Sequence, residues 1–348
     1  MIPKRRIIPL FIPNAGCRHN CVFCDQRRIT GADWPVIENG KLIIENLCSA
    51  TLPAELAFYG GSFTALPAGQ QNMLLEAAQY FLKLDALNSI RVSTRPDCID
   101  EATIERLKKY GVATIELGAQ SMCDDVLSAA GRGHSSSDAE RAAALVKNAG
   151  LALIVHMMTG LPGDTREKSL YTATRIAGLK PDGVRIHPTI VVRGTRLHEL
   201  FESGDYSEHA LGCAVELCAE LYEVFSGAGV PVIRFGLNPS EALSSGGAVA
   251  GAYHPAFGEL VYSRVYYDKA AALLEGAAPG SSVTLSVAHG HLSMMIGRRR
   301  CNIDALMKRF SLGSLKAVPS DQAKWTVRAS FGTTPGSAEP PPSCAKGA

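Results

Sequence analysis

Over roughly the first 195 residues, short apolar runs rich in β-branched side chains alternate with longer amphipathic stretches. The runs cover 6–12, 55–59, 89–94, 113–117, 151–158 and 183–190, each of strand length. Between them, apolar positions recur every three or four residues over 68–84, 101–110, 137–149 and 167–178, a spacing that predicts helices. Gly111 and Gly150 stand just past two of these, where glycine readily ends a helix. Strands that alternate with helices form a parallel sheet with right-handed crossovers. Periodicity alone does not choose between a partly closed barrel and a doubly wound sheet. The polar residues do: Cys17, Gly60-Gly61, Arg95, Gln120, His156 and His187 fall near or just past the C-terminal ends of successive runs, the face on which barrel enzymes build their sites. The expected fold class is α/β, an open partial (β/α)6 TIM-like barrel with a small C-terminal α/β module.

After residue 195 the pattern changes to one long helix over 208–227 and a short run over 230–235. A Gly/Ala/Ser-rich stretch at 244–251 follows and reads as a loop able to act as a lid or connector. The expected division is a core barrel over 5–235, a connector over 236–280, a small basic module over 281–320 and a disordered Pro/Gly/Ser-rich tail over 332–348.

Composition narrows the class. With 46% hydrophobic and 20% charged residues the chain is neither a disordered polymer nor a membrane protein, and no run approaches the ~18 apolar residues of a span. Lys4-Arg5-Arg6, the apolar residues 7–12 and then Cys17 superficially resemble a lipoprotein export signal, but Pro9 and Pro13 interrupt a stretch already too short for one. The expected location is cytoplasmic, and ten cysteines at irregular spacing fit a reducing compartment rather than a disulfide framework. The charge is uneven. Residues 1–31 carry six Lys/Arg against Asp25, residues 289–316 six against Asp304, and residues 32–288 hold 20 basic and 29 acidic side chains. Two basic ends on an acidic body point to a localised contact with a polyanion.

The cysteines carry the chemistry. Cys17-x-x-x-Cys21-x-x-Cys24 follows the first strand in a loop opened by Pro13, Asn14 and Gly16. Three thiolates this close face one centre if the backbone curls around it. An iron–sulfur cubane ordinarily takes four thiolates, so three leave one iron open to another molecule. Zinc, with His19 as a fourth ligand, is the alternative that the residues leave open. Cys48, Cys98, Cys123, Cys213, Cys218, Cys301 and Cys344 form no Cys-x-x-Cys pair that would point to a second cluster.

The triplet, with Phe23 before its last cysteine, resembles the radical-SAM superfamily. That resemblance implies a [4Fe–4S] cluster on Cys17, Cys21 and Cys24 whose open iron chelates the amino and carboxylate groups of S-adenosylmethionine. It also implies an electron donor protein, and a 5′-deoxyadenosyl radical that takes a hydrogen atom from the substrate. Further segments resemble the catalytic radical-SAM subunit of Elongator, a transfer-RNA uridine-modifying enzyme. They are Gly60-Gly61-Ser62-Phe63-Thr64, Ser93-Thr94-Arg95-Pro96-Asp97 (where that family has glutamate in place of Ser93), Gln120-Ser121 and Arg132-Gly133-His134. His156-Met157-Met158, Gly160-Leu161-Pro162-Gly163 and Pro188-Thr189 with Arg193-Gly194-Thr195 extend the match to about residue 200. The resemblance implies that Gly60, Gly61, Ser62 and Thr64 meet the methionyl amine, that Gln120 and Arg132 contact ribose and carboxylate, and that His156 either meets adenosine or is a core histidine. Nothing reads as that subunit's acetyltransferase domain, so its acetyl-CoA-dependent reaction does not carry over. The shorter spacing between Cys17 and Cys21 is closer to oxygen-independent coproporphyrinogen oxidases, which makes a tetrapyrrole the alternative substrate.

Two more groups complete the candidates. Tyr253, His254 and Glu259 lie beyond the barrel repeats and could exchange a proton with a substrate radical, or form a polar surface turn. Residues 292–306 place apolar Met295, Ile296, Ile303 and Leu306 around Gly297, Arg298, Arg299 and Arg300. This resembles the helix–loop–helix of a KH domain, whose Gly-x-x-Gly loop clamps a nucleotide backbone; Arg300 replaces the second glycine, and three arginines can hold phosphate by charge. The expected function is reductive cleavage of S-adenosylmethionine to modify an RNA base, in transfer RNA, with no membrane partner. A non-catalytic zinc and RNA-binding protein is the rival from another class.

Overall fold

The computed structural model describes residues 6–17, 19–30 and 54–332. All of the expected tail over 332–348 except Gly332, and Cys48 and Cys344, lie outside them. The described chain forms two compact units, one ending at Gly258 and the other beginning at Glu259.

The first unit is built on seven parallel strands: β1 (Ile7–Phe11), β2 (Ala54–Tyr59), β3 (Leu87–Thr94), β4 (Val112–Gln120), β5 (Ala152–Thr159), β6 (Gly183–Pro188) and β8 (Val232–Phe235). Their order in the sheet follows their order in the chain. A doubly wound sheet reverses direction at its switch point; this one does not, and it is an open curled half-barrel with β1 and β8 at its edges. The seventh strand is the difference from the six expected, because the run at 230–235 joins the edge beside β6. The helices Ala68–Lys83, Glu101–Lys109, Ser136–Asn148, Arg166–Gly178 and Leu211–Gly227 fall within a few residues of their periodic stretches. Side chains set their starts: Asp100 and Thr165 accept N-terminal amide hydrogens, and Ser135 and Asp138 form a reciprocal capping box.

Strand interiors supply the core. Leu56, Phe58, Ile90, Val92, Ile115 and Leu153 are fully buried, the continuous apolar signature of strands covered on both faces. The stretch at 244–251, expected as a loop, is partly strand: β9 (Ala248–Gly251) pairs antiparallel with β7 (Ile190–Val192).

The second unit has its own core. The helix Phe257–Leu274 contributes Tyr266, Ala270 and Leu274, which pack with Val283, Leu285 and Val287 of β10 (Ser282–Ala288) and with Met295, Ile303 and Leu306. β10 pairs parallel with β11 (Ser314–Ser320) and antiparallel with β12 (Val327–Phe331). The stretch expected as a connector over 236–280 therefore contains the helix that completes this core, and the module runs past residue 320 to β12. Among the described residues no helix is long and apolar enough to cross a membrane.

Candidate active site

The cysteine loop leaves β1 and locks onto the turn after β2 through backbone contacts. Ile12 donates to the Tyr59 carbonyl at 2.7 Å, Asn14 to Gly60 at 3.2 Å, and Ser62 to Ala15 at 2.8 Å. The approach is so close that a Cβ on Gly16 would lie 2.2 Å from the Ser62 oxygen and one on Gly61 2.3 Å from the Ala15 oxygen. On its other side Val22 donates to Ala130 at 3.1 Å, and the His19 ring lies against Gly133. The segment 130–133 thus backs the loop that the triplet occupies.

Cys17, Cys21 and Cys24 line one cavity of about 450 Å³ at the C-terminal ends of the strands. Arg132 Nη1 donates to Cys21 Sγ at 3.2 Å and Gln26 Nε2 to Cys24 Sγ at 3.4 Å. Burial, then the neighbouring Cys21, pushes the Cys24 thiol up to about 12, and the same two causes raise Cys17. Burial and the neighbouring Cys21 thus disfavour the thiolate at Cys17 and at Cys24, which added positive charge would offset. Among the described residues no three His, Cys, Asp or Glu side chains converge as ligands of a single metal ion. A cubane spans several ångströms and takes its thiolates farther apart than a single ion does.

Gly60, Gly61, Gln120, Arg132 and His156 line the same cavity. Gln120 sits at a bulge at the end of β4 with φ 65°, and its buried Oε1 has no hydrogen-bond partner among the described residues. A strained residue that presents an orphaned acceptor to a cavity marks a place for a ligand. Arg132 also donates to the Gly118 carbonyl at 2.7 Å, which fixes its guanidinium between Cys21 and β4. Ser62 and Thr64 do not line the cavity: their hydroxyls lie 3.0 and 2.6 Å from Thr94 Oγ1. They tie the turn to the end of β3.

Beneath these residues lies a buried ionic network that the sequence reading did not pick out. Glu116 is fully buried and accepts from Arg91 and His156 at 2.5 Å, Arg185 at 3.0 Å and Tyr59 at 3.1 Å. Arg91 also meets Glu55, which accepts from Ser89 and Thr114. Burial alone would raise the Glu116 carboxyl; His156, then Arg185 and Arg91, outweigh it and hold the group well below the usual carboxylate range. The available signal was a carboxylate or guanidinium inside each of four strands: Glu55 in β2, Arg91 in β3, Glu116 in β4 and Arg185 in β6.

The remaining candidates lie elsewhere. The Tyr253 hydroxyl is 2.9 Å from Ser244 Oγ, and His254 Nδ1 accepts from the Ala256 amide at 3.0 Å. Glu259 opens the second unit, in the first turn of Phe257–Leu274. None of the three lines the cavity. Arg298, Arg299 and Arg300 are exposed in the turn between the helices Leu292–Ile296 and Cys301–Arg309. Arg300 adopts φ 65°, the left-handed conformation that a glycine would take there. Asn302 steadies this turn by donating to the Met294 and Met295 carbonyls at 3.2 Å.

Comparison with known proteins accounts for this arrangement. Residues 11–175 match the radical SAM superfamily and residues 181–267 the radical SAM C-terminal domain. The chain belongs to the radical SAM superfamily. It is 35% identical over 133 residues to a tRNA uridine(34) acetyltransferase of Dehalococcoides mccartyi, covering 37% of this chain and 29% of that protein. It is 30% identical over 201 residues to the tRNA uridine(34) acetyltransferase of Methanocaldococcus jannaschii, covering 50% of this chain and 36% of that protein. It thus spans about a third of the length of these relatives. The structure of Elp3 from Methanocaldococcus infernus, lacking its N-terminus, superposes with a TM-score of 0.58 over 80% of this chain and 70% of that one at 23% identity, a likeness of fold.

Radical SAM enzymes use a [4Fe–4S] cluster and S-adenosylmethionine, and the residues present fit both. Among the described residues the cavity presents three thiols, and a cubane held by three leaves one iron open. The orphaned Gln120 oxygen, the fixed Arg132 guanidinium and the glycine-lined Gly60-Gly61 wall supply the mixed polar and close-packed surface that a nucleoside with an amino acid arm requires. The C-terminal basic turn lies outside both matched segments.

Proposed function

We propose that this radical SAM enzyme modifies a base of transfer RNA. The observation that carries the reading is the 30% identity over 201 residues, half of this chain, to a tRNA uridine(34) acetyltransferase. In this reading Cys17, Cys21 and Cys24 hold the cluster, while Gly60, Gly61, Gln120 and Arg132 seat S-adenosylmethionine. When bound, the pair supplies a reactive carbon radical able to take a hydrogen atom from an unactivated position. The chain's own part is positional. Arg132 screens the thiolates and orients an incoming carboxylate, the interlocked turns at Gly16 and Gly61 fix where the cluster stands, and the buried strand ends keep bulk water from a reactive species.

The exposed Arg298, Arg299 and Arg300 supply positive charge for the RNA backbone, and the left-handed backbone at Arg299 and Arg300 gives the turn the compact shape of a phosphate-binding loop. An electron donor protein completes the reaction. The test is nucleoside mass spectrometry of transfer RNA from cells with the gene, without it, and complemented with Cys21→Ala. One modified nucleoside should vanish on deletion and return with the wild-type gene only. An unchanged nucleoside profile would remove transfer RNA as the substrate.

A further inference from the structure

The cavity wall formed by β6 and β8 carries more positive charge than the described residues neutralise. Arg185 of β6 and Arg234 of β8 are register partners on neighbouring parallel strands, and both line the cavity. Like charges opposed across a sheet destabilise it, so a fold that keeps them needs a counter-charge. Glu116 serves Arg185 but is shared with Arg91 and His156, and Glu55 is committed to Arg91. The network holds three guanidiniums against two carboxylates. The excess falls on Arg234, whose Nε donates to the Gly236 carbonyl at 3.1 Å and which has no carboxylate in ion-pairing range among the described residues. Burial, then Arg185, disfavours its charge. Beside it His187 also lines the cavity, and its buried Nδ1 has no hydrogen-bond partner among the described residues.

We infer that Arg234 and Arg185, with His187, form an oxyanion subsite that holds a phosphate of the nucleotide being modified. The site is separate from the carboxylate position at Arg132, which stands beside Cys21 and bonds to Gly118 of β4, while Arg185 and Arg234 sit on β6 and β8. A bidentate guanidinium–oxyanion contact would balance the surplus charge and fix the distance of the attached base from the cluster end of the cavity. The oxyanion site follows from charge and register; its assignment to a phosphate rests on the transfer-RNA reading.

The test is calorimetric titration of the anaerobically reconstituted full chain with uridine, uridine 3′- and 5′-monophosphate, and succinate, for wild type and Arg234→Gln. One uridine monophosphate should bind at least about tenfold more tightly than uridine, as a charge-assisted pair confers, and Arg234→Gln should abolish that advantage. The ligand-free Arg234→Gln protein should melt at or above the wild-type temperature, since it loses a like-charge pair; a purely structural arginine would lower it. Arg234-dependent succinate binding with no preference for the monophosphates would keep the oxyanion site and overturn its assignment to RNA. Affinities unaffected by Arg234→Gln for every probe would overturn the site itself.

Discussion

Two glycines decide where the cysteine loop stands. A methyl group on Gly61 would meet the Ala15 and Ile12 carbonyl oxygens at 2.3 and 2.7 Å, and neither backbone atom can rotate away. Gly61→Ala should therefore cost about 1–3 kcal/mol, as overpacking does, and lower the iron bound per chain after reconstitution. Gly69 supplies the control, because it lies in a helix with nothing within 4 Å of its Cβ position; Gly69→Ala should stabilise by roughly 1 kcal/mol and leave iron content alone. Equal melting temperatures for the two variants would show that the loop can move without harm. At this scale much was legible: the triplet, Gly60-Gly61, Gln120, Arg132 and His156 all reach one cavity. Which way the Ser62 and Thr64 hydroxyls turn was not legible, because a motif gives adjacency only, and Thr94, which meets both, lies 30 residues on from Thr64.

Strands and helices were legible wherever local periodicity decides them. The helix stops at Gly111 and Gly150 match left-handed glycines with φ 84° and 73°. Two elements were not legible. β8 is four residues long and becomes a barrel strand only through its pairing with β6, and β9 reads as a loop because Ala and Gly carry little strand signal. The ionic network depends on the same non-local pairing, since Glu55, Arg91, Glu116 and Arg185 come from four strands. It makes a prediction at this scale. Because the Glu116 carboxyl is depressed in the folded chain, it contributes stability that is present above its unfolded value, about 4.3, and is lost as pH falls through its lower folded one. Glu116→Ala should cost about 3–5 kcal/mol at neutral pH, the penalty of leaving buried charge unpaired. In acid the gap between wild type and variant should shrink, measured by urea titration from pH 7 to pH 3; a gap independent of pH would mean that the carboxylate is not the keystone of the network.

Across the whole molecule, the uneven charge seen in the sequence divides between the two structural units: one basic cluster falls in the segment of the cysteine loop, the other in the turn between the helices of the second unit. Which residues build that second unit was not legible, because the helix Phe257–Leu274 joins its core through Tyr266, Ala270 and Leu274 rather than through any local motif. The central claim remains that the barrel presents three thiols to one cluster and an adjoining cavity to S-adenosylmethionine. The measurement that tests it most directly is anaerobic reconstitution of the full chain with iron and sulfide, followed by iron, sulfide and zinc analysis and assay of 5′-deoxyadenosine after reduction with S-adenosylmethionine. Wild type should carry one [4Fe–4S] cluster and release 5′-deoxyadenosine, and Cys21→Ala should lose both. A full cluster in Cys21→Ala, or zinc without iron in the wild type, would contradict the account.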